Sequence, residues 1–587
     1  MKRMRWLLMG TGLIGLAIAF YLIYGNPPTA QARALPGTAT LTGVVDSPRP
    51  FKAAQVYIRS TEKRMLYMVY TSEGKYQAIN LFPGNYDVSV RTWGLESDVQ
   101  KVTLGAGQNG RVNLSLKDTT KDPTRRQDVE YASYDEVYPP GPGRAVAEKT
   151  CIVCHGQNFL SSRRWNEAQW NAALDLMRGK GPEAGRVMIS SEMMSDQERE
   201  VLVKYLAANF GPTSKIRAVR VDNRLPVDEK VLAKAMYIEY YLAPDAPGQG
   251  VHDPQYAREG FAGGGRRVGQ DPRFDSEGNV WLTDRGTPNR IVKLDPRTGV
   301  MKDYLTPRPK AGVHDLNIDQ RSGIVWVPEN EGVPASQMHL LAFNPKTEKW
   351  EQEYHLDPEN TIQAPLKHAQ SLAIDSKGNV FTGMILGDAL TRWDRETKKV
   401  SVYKLPPDIS PDFGGSPYGV IANKNDNIWV AVSRRGKIAK FDTKTNQWTG
   451  YTAPTYPSFI RRLNVDSKNN IWFPIFSAGT LVRLDQATGK MTEWKIPAQV
   501  SAPYDVSEYQ GNIWIADAGQ ESTLIQFNPQ TQAFTFFPSP QPTADKPKIQ
   551  ITREGAIWYS PRSSREYPGF GVMYPDVDKM TTFAARY

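Results

Sequence analysis

Hydrophobic and polar residues alternate with a period of two along most of the chain, which predicts short, half-buried β-strands joined by turns. Two stretches break this pattern. A continuous apolar run occupies residues 6–24, and a helical period of 3.6 appears between about residues 144 and 212. The pattern therefore predicts β-rich blocks on both sides of a helical one.

The apolar run follows three basic residues, Lys2, Arg3 and Arg5, and precedes a small-x-small site that ends at Ala32. These features are typical of a secretory signal peptide over residues 1–32. Because the run is almost long enough to cross a bilayer, a retained N-terminal membrane anchor is the alternative. Either interpretation predicts a periplasmic or exported protein, soluble or anchored to the inner membrane by this segment.

The first β-rich block covers residues 37–118, and about seven strands in this length predict a small β-sandwich. The stretches 74–76 (Gly-Lys-Tyr) and 81–88 (Leu-Phe-Pro-Gly-Asn-Tyr-Asp-Val) resemble the carboxypeptidase-regulatory-like, or transthyretin-like, fold. That resemblance implies a structural or docking module, or one that binds a sugar or a partner. Residues 119–143 are polar and end in prolines and glycines, which predicts a linker.

The chain has only two cysteines, Cys151 and Cys154, and His155 follows directly. This C-x-x-C-H motif excludes a disulfide framework and is the attachment signature of a c-type haem. Two thiols one helical turn apart can bond the two vinyl groups, and the histidine then lies under the iron as the proximal ligand. A redox dithiol or a chance match is the alternative, but no thioredoxin-like strand-to-helix step surrounds the motif.

Residues 144–212 carry the helical period: Trp170, Leu174 and Met177 share one face, and Ser195 and Glu198 form a capping box before a second helix. The segment resembles the short class I cytochrome c domains of sulfite- and amine-oxidising enzymes. This resemblance implies an all-α domain whose sixth iron ligand is a methionine. The candidates are Met177, which the motif alignment favours, and Met188, Met193 and Met194.

After a connector at residues 213–265, in which residues 237–242 are the predicted ring-closing strand, a repeat fills residues 266–587. Its unit reads Asp-x-x-Gly-Asn-Val/Ile-Trp and recurs at intervals of roughly 42 to 55 residues, the spacing of four-stranded propeller blades. The aromatic positions of its seven instances are Trp281, Trp326, Phe381, Trp429, Trp472, Trp514 and Trp558. The repeat predicts a seven-bladed β-propeller.

The blade motifs at residues 416–420 (Ser-Pro-Tyr-Gly-Val) and 438–442 (Ile-Ala-Lys-Phe-Asp) resemble those of the streptogramin (virginiamycin B) lyase family. The resemblance implies a channel histidine as base and a glutamate three positions after a blade tryptophan, which His314 and Glu329 match approximately. In the late blade where the lyase keeps this pair, the chain has Tyr504 and Asp517. The pair is therefore displaced or absent, and His314 and Glu329 either satisfy each other structurally or form a base or divalent-metal site.

The chain has 72 basic and 62 acidic residues, a net charge of +10 and a mean hydropathy of −0.50. These values exclude a polytopic membrane protein, and the absence of a Lys/Arg block argues against nucleic-acid binding. The positive charge suits an acidic redox partner. The sequence thus predicts a periplasmic c-type cytochrome whose propeller binds a small-molecule substrate or a redox partner. The alternatives are a carbon–oxygen lyase and a quinoprotein-type dehydrogenase.

Overall fold

A computed structural model describes residues 34–120, 128–180, 189, 191, 193–245, 267–286, 288–308, 311–329, 338–362, 368–411, 414–562, 564 and 567–587. The predicted signal or anchor at residues 1–32 and the candidate Met188 lie outside these ranges. Within them, no helix is both long and apolar enough to cross a membrane.

In the described part of the chain, six antiparallel four-stranded sheets follow one another as separate propeller blades. Blade 1 comprises Gly269–Phe274, Val280–Asp284, Arg290–Asp295 and Val300–Leu305; blade 2, Asn317–Ile318, Val325–Pro328, His339–Asn344 and Lys349–His355; blade 3, Ala369–Ile374, Val380–Met384, Ala389–Trp393 and Val400–Lys404. Blade 4 comprises Pro417–Ala422, Ile428–Val432, Lys437–Asp442 and Gln447–Thr452; blade 5, Asn464–Val465, Ile471–Ile475, Thr480–Leu484 and Met491–Lys495; blade 6, Pro503–Tyr509, Asn512–Asp517, Leu524–Asn528 and Ala533–Phe537.

The repeat motif forms the turn between the first two strands of a blade. In blade 1 the carboxylate of Asp275 accepts hydrogen bonds from the backbone N–H of Asn279, its side-chain amide and the indole N–H of Trp281 at 2.9 Å each. Asp466 binds Asn470 and Trp472 in the same way in blade 5. In these two blades one carboxylate therefore satisfies the buried polar groups of the turn.

The prediction of seven separate blades is wrong: the described residues form six. The strands of the last repeat unit, Ile549–Ile551, Ile557–Tyr559 and Gly569–Tyr574, form a sheet with Met236–Tyr241. The other edge of Met236–Tyr241 pairs with Met65–Tyr70 of the N-terminal block. Because Met236–Tyr241 is buried along its whole length and uses both edges, the last unit merges into a larger sheet instead of standing alone.

The N-terminal strands and the propeller share this sheet and one hydrophobic core, which includes Tyr67, Ile238, Trp558 and Phe570. The strands of the N-terminal block are Ala39–Asp46, Gln55–Ser60, Met65–Tyr70, Lys75–Leu81, Gly84–Thr92, Leu95–Ser97, Gln100–Leu104, Asn109–Arg111 and Leu114–Asp118. The sheet of this block is thus continuous with that of the last repeat unit.

The segment that carries the cysteines is helical but is not the predicted all-α domain. Its helices are Tyr134–Val137, Pro142–Ala147, Glu148–Ile152 (π), Val153–His155, Leu160–Ser162 (3-10), Glu167–Met177 and Asp196–Asn209. The strands Glu130–Ala132 and Arg217–Val219 pair in parallel at its two ends, because the extended backbone there needs hydrogen-bond partners. Both bonds of the capping box formed by Ser195 and Glu198 are present. A short helix, Glu229–Leu232, leads to the shared sheet.

Candidate functional site

A bulge at the start of each inner strand directs two consecutive side chains toward the propeller channel. In blade 1 the register shifts between Gly269 and Pro272, and blades 3 and 4 show the same shift. In blade 6 the shift lies between Pro503 and Asp505 and leaves Tyr504 unpaired. In blades 2 and 5 an isolated bridge, formed by Val313 or Ile460, precedes the inner strand with an equivalent offset. Because a bulge leaves residues unpaired and re-aims them, the six blades present two stacked layers of side chains.

The deeper layer, the ionic layer, is a buried network of opposite charges. Its charged members are Asp271, Asp315, Arg462 and Asp505, together with Lys548 from the last repeat unit, and Ser371 and Gly419 hold the equivalent positions in blades 3 and 4. Asp315 accepts hydrogen bonds from Arg462 at 2.5 and 2.9 Å and from Lys548 at 3.4 Å. Lys548 also contacts Asp271 at 3.1 Å. Beside this layer the channel holds a cavity of about 200 Å³, lined in part by Arg462, Asp505 and Lys548.

The outer layer, the mouth ring, comprises Gln270, His314, Gln370, Tyr418, Arg461 and Tyr504. Its side chains contact one another around the channel. The hydroxyls of Tyr418 and Tyr504 share a hydrogen bond, and Arg461 donates to them at 3.4 and 3.1 Å. Arg562 of the last repeat unit donates to Tyr504 at 3.4 Å and to Gln270 at 3.5 Å.

Tyr504 lies at the centre of this cationic group and is only 1% exposed. Burial raises the pKa of a phenol, but the charges of three neighbouring guanidinium groups outweigh burial and lower the pKa of Tyr504 to about 7. These groups belong to Arg461, Arg562 and Arg462. The mouth ring therefore offers an oxygen that is partly ionised at neutral pH.

The helical segment contacts the mouth ring at the C-x-x-C-H motif. Arg461 donates a hydrogen bond of 3.0 Å to the backbone carbonyl of Cys154. A cavity of about 340 Å³ lies between the two parts and is lined by Cys154 and Met193 on one side and by Arg434 and Phe459 on the other. The two sequence features that carry chemistry, the motif and the channel, thus meet in one place.

The motif occupies a continuous helical turn, in which Cys151 is buried and Cys154 is partly exposed. Burial raises the pKa of the Cys151 thiol to about 11. Reactive redox dithiols have lowered pKa values, so this environment does not favour the dithiol alternative. The ring of His155 stacks on Phe159 with centroids 4.0 Å apart. Burial, together with the charges of nearby arginines, lowers the pKa of His155 to about 4, so its imidazole is neutral at pH 7.

The candidate sixth ligands differ in their access to this cavity. Met194 is fully buried in the hydrophobic core of the helical segment, and Met177 and Met193 both pack against the same core. Met193 lines the cavity that Cys154 also lines. The structure therefore brings Met193, rather than Met177, to the cavity beside the motif.

In the described part of the chain, the side chains of His314 and Glu329 form no hydrogen bond with each other. The backbone of Glu329 forms a β-bridge with Val313, the residue before His314. The Nδ1 of His314 lies 2.7 Å from Asp315, and its Nε2 lies 3.1 Å from the amide of Gln370. Since the amide donates, Nε2 accepts and Nδ1 donates to the carboxylate.

Glu329 accepts hydrogen bonds from Arg308 at 2.5 Å and from the backbone N–H of His339 at 3.0 Å. Asp284 and Asp517, which hold the equivalent position in their blades, likewise accept backbone N–H groups of nearby loops. Through these hydrogen bonds the three carboxylates stabilise the loops next to them.

Replacement of His314 by glutamine is expected to make the protein less sensitive to acid. Burial lowers the pKa of His314 from 6.5 to about 3, so between these values the unfolded chain binds a proton that the folded chain does not. The contribution of neutral His314 to stability is therefore complete above pH 6.5 and is lost as the pH falls toward 3. Unfolding measured from pH 7.5 to 3.5 should show a smaller loss for H314Q than for the wild type. Parallel curves for the two proteins would contradict this assignment.

Sequence reasoning did not identify Arg461 or Tyr418 as site residues. Tyr418 and Tyr504 share the pattern Pro-Tyr-x-Val, which recurs at residues 417–420 and 503–506 and could have marked them. Arg461 has no such signal, because the residues around it do not match the Pro-Tyr-x-Val pattern. The described residues contain no group of three or more His, Cys, Asp or Glu side chains placed to hold a metal ion, so the predicted channel metal stays a prediction.

The fold and the two channel layers define a β-propeller protein with a polar channel. No protein-family model and no curated protein matches the chain. Among solved structures, virginiamycin B lyase from Staphylococcus aureus is 20% identical, covers 52% of this chain and 94% of its own length, and has a TM-score of 0.45. A streptogramin B lyase is 18% identical over 58% of this chain and 97% of its own, with a TM-score of 0.46. A catalytically inactive form of the S. aureus enzyme with quinupristin is 18% identical over 58% of this chain and 99% of its own, with a TM-score of 0.46.

Proposed function

We propose that the chain is an exported c-type haem protein that transfers electrons, and that its propeller binds a substrate or redox partner at the channel mouth. The observation that carries this proposal is the contact between Arg461 of the mouth ring and Cys154 of the C-x-x-C-H motif. Two separate parts of the chain converge there on a shared cavity.

The residues at this position fit a covalent haem. Cys151 and Cys154 lie on one helical turn, as two thioether bonds require, and Cys154 faces a cavity with apolar and cationic walls. His155 follows with a neutral imidazole, the form that binds iron. A haem bound there would supply a one-electron carrier beside the channel. The chain itself contributes the attachment thiols, the imidazole and the walls that exclude water.

The experiment that tests this function is an anaerobic visible spectrum of the mature, full-length protein against alcohols, sugars, amines and sulfite. If one compound reduces the chromophore without another protein, the channel mouth is a substrate site. Reduction by dithionite alone would assign the mouth to a redox partner. Absence of a covalent haem from protein made in a host that matures c-type cytochromes would refute the proposal.

Met193 is proposed as the methionine ligand, because it lines the cavity that Cys154 also lines. We expect M193A to lose the sulfur-to-iron charge-transfer band and to have a lower reduction potential, since a Met ligand raises that potential. The matched control is M177A, which removes a methionine from the helical core and should keep the band. Loss of the band in M177A but not in M193A would reverse the assignment. The measurement is the visible spectrum of the oxidised protein.

The remaining parts of the chain are assigned supporting roles within this proposal. The block at residues 37–118, which resembles the carboxypeptidase-regulatory-like fold, would serve as a docking module. The net charge of +10 would attract an acidic redox partner, with an affinity that decreases as salt increases. The N-terminal segment would export the chain, either as a cleaved signal or as an anchor.

A carbon–oxygen lyase is the second candidate, and the position of His314 favours it. The Nδ1 of His314 is held by Asp315, which is the arrangement of an oriented general base. Against it, Nε2 already accepts the amide of Gln370, and Glu329 lies outside this contact. The test is cleavage of quinupristin by the wild type and by H314A. Cleavage that disappears in H314A while the haem spectrum is unchanged would establish the lyase.

A further inference from the structure

Arg461 is a cation without a carboxylate partner among the described residues. Its guanidinium is hydrogen-bonded to Tyr418, Tyr504 and the carbonyl of Cys154, and its Nε has no partner. The neighbouring guanidinium groups differ, since Arg462 pairs with Asp315 and Arg562 with Asp545. Arg461 is thus the member of this cationic group that the described chain leaves unneutralised.

Aromatic rings enclose Arg461 instead of an acid. Its guanidinium carbon lies 4.2 Å from the ring centre of Phe476, 4.5 Å from that of Tyr504 and 5.0 Å from that of Phe459. Phe459 and Cys154 both line the cavity between the helical segment and the propeller, so Arg461 contacts two of its lining residues. Arg461 is only partly exposed to solvent, and a partly buried guanidinium without a counter-charge is destabilising, so an anion at this place would offset the cost.

The surroundings attract negative charge. Arg434 lines the same cavity, and the charges of Arg163, Arg434 and Arg461 all act on His155. The phenol of Tyr504 compensates for Arg461 only in part, because its pKa of about 7 leaves it incompletely ionised at neutral pH. A planar guanidinium with donors left over is suited to a carboxylate or an oxyanion.

We propose that Arg461, with Tyr418 and Tyr504, forms a binding site for a carboxylate or small oxyanion where the helical segment meets the channel mouth. Two sources can supply this chemistry: a carboxylate group of a haem attached at Cys151 and Cys154, or a free small anion that enters the cavity. The site itself is independent of the source, and only the first source rests on the haem function proposed above.

The test compares wild type, R461Q and R483Q as mature, full-length proteins. Arg483 is the matched control because its guanidinium carbon also lies over aromatic rings, 5.8 Å from Trp472 and 5.9 Å from Trp494, while it makes no described contact with the helical segment. Acetate and sulfite are titrated by calorimetry at constant ionic strength. The midpoint potential of the chromophore is measured by spectroelectrochemistry.

If the anion belongs to the haem, removing the cation in R461Q should stabilise the oxidised haem. The ratio of oxidised to reduced haem at a fixed electrode potential should then rise about tenfold. The wild type should then bind neither acetate nor sulfite. If the anion is free, the wild type should bind acetate or sulfite, and R461Q should weaken that binding at least tenfold. R483Q should match the wild type in both measurements.

The proposal is overturned if R461Q equals R483Q in both measurements. Wild-type protein without a covalent haem would refute the haem function, yet the anion titration would still decide the site. If circular dichroism shows that R461Q does not fold, R461K is compared in its place. A lysine keeps the charge but cannot bond both tyrosine oxygens and Cys154 in one plane, so it should show the same changes at reduced size.

Discussion

The double variant C151S/C154S is expected to carry no covalently bound haem. Thioether bonds require both sulfur atoms, and serine hydroxyls do not add to vinyl groups under these conditions. Each single variant should keep one bond and show a red-shifted spectrum of the reduced, pyridine-bound chromophore. The readout is the chromophore that stays with the polypeptide after acid–acetone extraction.

The control for this experiment lies in the same helical segment. Ala172 is on the exposed face of Glu167–Met177, so A172S should retain the wild-type content of bound haem. A double variant that retains the same covalent chromophore as A172S would contradict the assignment of the motif. A loss of chromophore in both variants would instead indicate that the helical segment fails to fold.

Asp315→Ala is expected to destabilise the folded chain by about 3–5 kcal/mol, the range for breaking a buried ion pair by removing one partner. Asp315 is fully buried and is the acceptor for both terminal nitrogens of Arg462 and for Nδ1 of His314. Its removal leaves Arg462 as a buried cation and leaves Lys548 with Asp271 alone. The free energy of unfolding in urea measures the effect.

The control for Asp315→Ala is Asp98→Ala, because the ion pair of Asp98 with Lys117 is exposed to solvent. Exposed pairs contribute little, so D98A should be indistinguishable from the wild type. A D315A protein as stable as D98A would show that the ionic layer contributes nothing to holding the blades together. A second variant, D315N, keeps the size of the side chain and should separate the loss of charge from the loss of packing.

Much of the propeller could be predicted from the sequence, because several blades repeat one carboxylate-centred turn, as at Asp275 and Asp466, that a pattern of Asp, Asn and Trp reveals. The fusion of the last unit with the N-terminal block could not, since pairing along both edges of Met236–Tyr241 leaves no signature beyond an apolar strand. The C-x-x-C-H motif could be identified directly from the sequence. Its position over the channel mouth was not, because it depends on contacts such as that between Arg461 and Cys154, which lie 307 positions apart.

The mouth ring illustrates the same limit at the level of single residues. Tyr418 and Tyr504 lie 86 positions apart in the chain and share a hydrogen bond only because a bulge turns both toward the channel. A sequence pattern can identify equivalent positions in two blades, but it does not show which of them are bulged. Glu329 is an example: its spacing alone does not show that it accepts hydrogen bonds from Arg308 and from the backbone of His339.

The sheet shared by the last repeat unit and the N-terminal block has a consequence for the order in which the molecule can be made. Met236–Tyr241 cannot acquire its partner Gly569–Tyr574 until nearly the whole chain has been synthesised. Until then the edge of that strand, and the apolar side chains around it, lack their final cover. During synthesis the chain would therefore be prone to aggregation until its last residues arrive.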